Sequence, residues 1–189
     1  MRYVVFDVEL EKGPPPPVGK IEGVEYLDSW DDKASMKASV VCAYDSAADQ
    51  YRVFAKDNLL AFLPFVGKDT VLVGFNSKNF DSQVLLQGHG IDLTQLPHFD
   101  ILQEMIMASG RTHKGLSLDA VTRANLPGQW KPETGDIAPV RWQRGQIGAV
   151  IDYCLHDVWL TKCLYEKVLT YRYLLDPISG KPLLIAGLK

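Results

Sequence analysis

Close to its amino terminus the chain runs Val4-Val5-Phe6-Asp7-Val8-Glu9, an apolar stretch broken by two carboxylates two residues apart. Side chains alternate across a β-strand, so this spacing puts both acids on one face of a strand whose other residues ask to be buried. An acid pair in such a run needs a partner, because buried charge is costly until something offsets it. Near the other end, Tyr153 and Asp157 stand at i and i+4 in Tyr153-Cys154-Leu155-His156-Asp157, which aligns phenol and carboxylate on one face of a helix. Between these pairs, Gly74-Phe75-Asn76-Ser77-Lys78-Asn79-Phe80-Asp81 ends on a further acid.

The remaining pattern reads as α/β. Strands are expected at Arg2 to Leu10, Ala38 to Tyr44, Gln50 to Ala55 and Thr70 to Phe75, the second and third forming a hairpin around Asp45-Ser46-Ala47-Ala48-Asp49. Val71-Leu72-Val73 is apolar on both faces, as in a strand covered on both sides. Helical spacing predicts helices at Asn58 to Val66, Asn79 to Gly88, Ser117 to Asn125 and, most strongly, Gln146 to about Tyr171. A short strand at Phe99 to Ile101 leads into another helix through Met107, and the chain reads as irregular from Pro127 to about Pro139. Asp176 to Pro182 reads as a turn joining two short edge strands. The stretch from about residue 11 to 37 contains Pro14-Pro15-Pro16-Pro17, whose missing donors favour an extended surface loop inserted in the domain. A tolerated linker is the plain reading of it, and a substrate-facing lid the other.

With 189 residues, 47% of them hydrophobic, one core and one domain over 1–189 are expected. A net charge of −3 argues against a protein that coats nucleic acid by bulk electrostatics. It does not argue against an enzyme acting on nucleic acid, because bound cations reverse the local charge on which a phosphate lands. Cys42, Cys154 and Cys163 have no CxxC spacing and are expected to be reduced and packed. Without a signal-peptide pattern or a long apolar run, a soluble cytoplasmic protein is expected.

Hard divalent cations prefer oxygen ligands and keep several waters, so a few carboxylates from separate elements suffice when phosphate completes the shell. Asp7, Glu9, Asp81 and Asp157 can provide that set. Two metals roughly 3.5–4 Å apart can activate a water on one side of a phosphodiester and stabilise the leaving oxygen on the other. Tyr153, one helical turn before Asp157, can orient the attacking water through its hydroxyl.

Phe6-Asp7-Val8-Glu9, Gly74 to Asp81 and Tyr153 to Asp157 resemble, in order, the three exonuclease motifs of the DEDD superfamily in its tyrosine-containing subclass. The second and third are similar to those of the family B DNA polymerase proofreading domain and of stand-alone ribonuclease H-like relatives. The likeness runs from about residue 2 to 169 and includes Gly115-Leu116-Ser117-Leu118-Asp119-Ala120-Val121. The resemblance implies a ribonuclease H-like mixed five-stranded sheet flanked by helices, and removal of nucleotides from a 3′ end of DNA. It implies two Mg2+ or Mn2+ ions on Asp7, Glu9, Asp81 and Asp157, with Tyr153 positioning the water. The histidine-containing subclass would want its histidine five residues before the last aspartate, where this chain has Asp152. The polyproline stretch departs from the polymerase pattern. As no polymerase region follows residue 189, a free-standing nuclease is expected, or a subunit beside a polymerase, helicase or other replication or repair protein. A non-catalytic binding module of the same fold and a 3′–5′ exoribonuclease are the alternatives.

Asp100 reads as a structural hydrogen-bonder after a short strand, and Asp152 and His156 are turned away from the helix face of Tyr153 and Asp157. Residues 109–146 hold six Lys/Arg against three acids, a surplus that attracts a phosphate backbone or simply forms a solvated face. Asn76, Phe80, Lys114 and Trp130 are the candidate substrate contacts. Phe75 and Phe80 have the makings of core residues, while Trp130 is the better candidate for stacking on a base.

Overall fold

The computed structural model describes residues 1–131 and 135–186. Strand β1 (Tyr3–Leu10) pairs antiparallel with β2 (Ala38–Asp45), and β2 turns back into β3 (Gln50–Ala55). On its other edge β1 runs parallel to β4 (Val71–Gly74), which runs parallel to β5 (His98–Asp100). The order β3-β2-β1-β4-β5 makes the mixed five-stranded sheet that the family resemblance implies.

Alternation along β1 divides the interior into two cores. Val5 faces one of them with Val40, Cys42, Tyr44 and Val73, whereas Val4, Phe6, Val8 and Leu10 face the other. The first core is covered by α4 (Ile101–Ser109), α5 (Leu118–Asn125) and the long α7 (Ile147–Tyr171), which sends Val150, Cys154, Val158 and Leu164 into it. The second is covered by α2 (Phe62–Val66) and α3 (Asp81–His89), with Phe6 and Phe62 ring to ring at 5.5 Å. Burying each such ring contributes roughly 1.5–3 kcal/mol. Asp7 and Glu9 share the face of Val5, so period two points them at α7.

Several elements differ from the sequence expectation. The helix expected at 58–66 is a 3-10 turn (Leu59–Ala61) followed by α2, because Pro64 lacks an amide donor and is tolerated only in a first turn. The stretch 127–139, read as irregular, contains a 3-10 turn (Gly135–Ile137) and leads into α6 (Ala138–Gln143); residues 132–134 of it lie outside the described residues. Pro139 sits in the first turn of α6, where its fixed φ favours a helix start rather than a break. Strands β6 (Tyr173–Leu175) and β7 (Pro182–Leu184) flank the expected turn but form their own two-stranded sheet instead of edging the main one.

The Pro-rich insertion is docked rather than free. It holds a one-turn helix, α1 (Lys33–Met36), capped by Asp32, whose carboxylate accepts the Ser35 amide at 3.1 Å. The Leu27 amide bonds to the Gly13 carbonyl at 3.0 Å, and Gln143 of α6 clasps the far side of the loop. Its amide group accepts the Glu25 N–H at 2.8 Å and donates to the carbonyls of Glu25 and Glu11 at 2.9 and 3.1 Å. Among the described residues, no helix is long and apolar enough to cross a membrane.

Candidate active site

Parallel pairing of β1 with β4 stops at Val5, so the carboxyl-terminal half of β1 diverges from its neighbour. The divergence frees the Val8 amide, which donates to Asp81 Oδ1 at 3.0 Å. Asp81 opens α3 and is thereby tied to the strand segment that carries Asp7 and Glu9. The loop before it is tightly drawn: a Cβ at Gly74 would lie 2.2 Å from Ser77 Oγ, so a larger residue there displaces the loop. Asp100, fully buried, accepts the amides of Asn76 and Lys78, each at 2.9 Å, the structural role expected for it. Asn76 sits in this loop with φ of 63°, a left-handed conformation that asparagine tolerates better than most residues.

From the opposite side α7 presents Tyr153, Cys154 and Asp157, all buried. The four carboxylates of Asp7, Glu9, Asp81 and Asp157 line one cleft of 360 Å³ together with Trp30, Phe75, Asn76, Phe80, Lys131 and Asp136. A second cleft of 750 Å³ adjoins it through Lys131, Gly135 and Asp136, and lies between Pro16–Val18 and the amino-terminal end of α5. The insertion thus supplies a wall to both. Of the candidate substrate contacts, Asn76 and Phe80 line the cleft; the described lining includes neither Lys114 nor Trp130. Trp130 is instead half-exposed, with the Arg123 guanidinium 5.7 Å from its ring, while its carbonyl lies 3.2 Å from His156 Nε2. Asp152 is exposed.

Sequence reasoning placed Lys131 on a basic face, and the structure places it in the site. Its ammonium pairs with Asp157 Oδ2 and lies 4.6 Å from the Tyr153 ring centroid. No periodicity marks it, since it stands outside regular structure. Two more of the six basic residues are also spent locally, Arg111 on Asp176 at 2.7 Å and Arg123 on Asp119 at 2.9 Å. Cys154 and Trp30 were likewise not foreseen as parts of the site.

One ammonium cannot neutralise four clustered carboxylates. Burial pushes Asp7 and Glu9 well above the usual carboxylate range, and neighbouring carboxylates push the same way. Burial raises Asp81 to about 7 against the pull of its backbone hydrogen bonds, and raises Asp157 against the pull of Lys131. For Lys131 burial favours the neutral amine, but the carboxylates of Asp157, to which it is hydrogen-bonded, and of Asp7 outweigh it and hold the ammonium. Burial also raises Tyr153, which therefore keeps its phenolic proton.

These residues fit hard divalent cations. Oxygen donors converge from β1, α3 and α7, the ligand atoms of Asp7, Glu9 and Cys154 lie within 4.8 Å of one another, and Asp157 Oδ1 is buried without a hydrogen-bond partner among the described residues. Cys154 differs in kind: burial holds it as a thiol, and it leans on the Asp7 carbonyl and Oδ2 at 3.5 and 3.6 Å.

A pH dependence follows for the metal-free protein, whose stability should fall as pH rises from 6.5 through about 7, with the Asp81 contribution levelling off above that. Unfolded Asp81 ionises near 3.8 and folded Asp81 near 7, so between these values the folded state holds a proton that the unfolded state has lost, and above 7 both have lost it. Buried His98, lowered to about 3 by burial and Lys78, gives the opposite slope, but only below 6.5. Thermal unfolding in chelator should show the decline in the parent and a flatter profile in Asp81→Asn; equal slopes would remove Asp81 from the account.

No family model and no curated protein matches the chain. Among solved structures it is similar to the family B DNA polymerase from the hyperthermophilic archaeon Pyrobaculum calidifontis, with a TM-score of 0.63 and 19% identity over 97% of this chain. The match covers 26% of the polymerase, so the chain spans about a quarter of that protein. At this identity the likeness speaks for the fold alone, and with the sheet order it makes this an α/β structure of the ribonuclease H-like kind.

Proposed function

We propose that this protein is a metal-dependent 3′–5′ exonuclease of the DEDD type, tyrosine subclass, which hydrolyses single-stranded DNA or unpaired 3′ ends to nucleoside monophosphates. The observation that carries the reading is the convergence of Asp7, Glu9, Asp81 and Asp157 from three elements on one cleft, beside a tyrosine that keeps its proton. Similarity to a polymerase in fold supports a nucleic-acid substrate, and a polymerase or other replication protein as a working partner.

Two Mg2+ or Mn2+ ions held by the four carboxylates would supply water activation and stabilisation of the leaving oxygen. The chain's own part is orientation. Asp100 and the Val8–Asp81 bond fix the loop carrying Asp81 relative to β1, and α7 fixes Asp157 one turn from Tyr153. The Tyr153 hydroxyl is buried beside Lys131 and Asp157, where it would hold the attacking water. Tyr153→Phe should therefore lower kcat by about 10- to 100-fold, less than the loss of a carboxylate, since ring and ligands remain. Single-turnover rates on one purified preparation of each variant check the ranking.

The Lys131–Asp157 pair favours a second reading, a nucleic-acid-binding module in which the ammonium stands in for a cation. It leaves the other carboxylates uncompensated, which argues for the enzyme. Matched 5′-labelled DNA and RNA strands, incubated with magnesium, manganese or chelator, decide among DNA exonuclease, RNA exonuclease and binding module. A ladder shortening from the 3′ end on DNA only with metal is the expected result; binding without shortening would overturn it.

A further inference from the structure

The carboxylate cleft has an aromatic wall that the metal chemistry does not use. Trp30, from the Pro-rich insertion, is 42% exposed and lines the same cleft as the four acids. Its ring lies 6.0 Å from that of Phe80, the residue before Asp81, at 60°. Its position is fixed from behind: a Cβ at Gly13 would lie 3.3 Å from the indole, and the Lys33 ammonium, 4.2 Å from the Phe80 ring centroid, binds the Trp30 carbonyl. One cleft thus sets a held aromatic surface beside a cation-binding acidic one, and a nucleotide carries the two complementary parts, a flat base and a phosphate.

We propose that Trp30, braced by Phe80, is the stacking surface for the base of the 3′-terminal nucleotide, which makes the insertion a substrate-gripping element. The inference rests on the exonuclease reading and adds to it where the terminal base goes and what kind of end is accepted. At 360 Å³ the cleft is near the small end of ligand sites, roughly 300–1,000 Å³, a size for one unpaired nucleotide rather than a duplex end. Every base has a π-face, so the grip is indifferent to sequence.

The test uses two single strands labelled at the 5′ end, identical except that one ends in a normal 3′ nucleotide and the other in an abasic residue. Affinity is read by fluorescence anisotropy with calcium in place of magnesium, on strands whose last linkage is a phosphorothioate that resists shortening, and KM and kcat from shortening of the normal strands with magnesium. In the parent the normal end should bind about tenfold better than the abasic one. Trp30→Leu should erase that preference by weakening the normal end alone, and Trp30→Phe should restore most of it. Equal weakening of both strands in Trp30→Leu, no change in either, or no preference in the parent would overturn the proposal. Absence of shortening in the parent would count against the nuclease reading, while anisotropy still reads the stacking.

Discussion

Asp7→Asn should abolish metal-dependent shortening, by on the order of a thousandfold, and at the same time raise the thermal stability of the metal-free protein. The two effects share a cause. Asp7 lies on the α7 face of β1 with its carboxyl pushed up first by burial and then by Asp81 and Asp157, so in the absence of cations its charge works against the fold. Asparagine keeps the shape and removes the charge. A catalytic defect in a variant more stable than the parent separates a chemical role from a structural one; a variant that is inactive because it is unfolded, or one as active as the parent, would remove Asp7 from the site. Adding magnesium should stabilise the parent by mass action and the variant much less.

Lys131→Met should have the opposite sign in stability. Its ammonium is paired with Asp157 in a site where both side chains are largely shielded from water. Removing one member of a buried pair leaves the other uncompensated, which typically costs about 3–5 kcal/mol. Here the stranded group is a carboxylate beside three others. Urea unfolding in chelator should show the loss, magnesium should recover part of it, and Lys131→Met combined with Asp157→Asn should lose less than the separate changes add up to. A Lys131→Met protein as stable as the parent in chelator would mean that the ion pair contributes little to the fold.

How much of this was legible differs from residue to residue. Asp7 and Glu9 were legible as a pair because strand periodicity is local: Val5 is core, and residues 7 and 9 must share its face. Tyr153 and Asp157 were legible for the same reason on a helix, and α7 was the clearest element in the chain because 25 residues carry one repeating stripe. Asp81 was legible only through its motif, since nothing local says that its carboxylate will take the Val8 amide. The helix at Ala138–Gln143 was hidden by a proline that marks a helix start as readily as a break. Lys131 and Trp30 were not legible at all. Both stand outside any repeating pattern, and both reach the site because distant contacts, Trp130 to His156 and Gly13 to the indole, fold their segments over it.

The sequence by itself determined the strands, the long helix and the faces on which the acids lie, because those follow from short-range periodicity and from which side chains must leave water. Only the tertiary structure decided that β1 parts from β4 at Val5, that a lysine enters the acidic cluster, and that the Pro-rich insertion walls the cleft. Those features depend on the packing of segments more than a hundred residues apart, which no local spacing encodes.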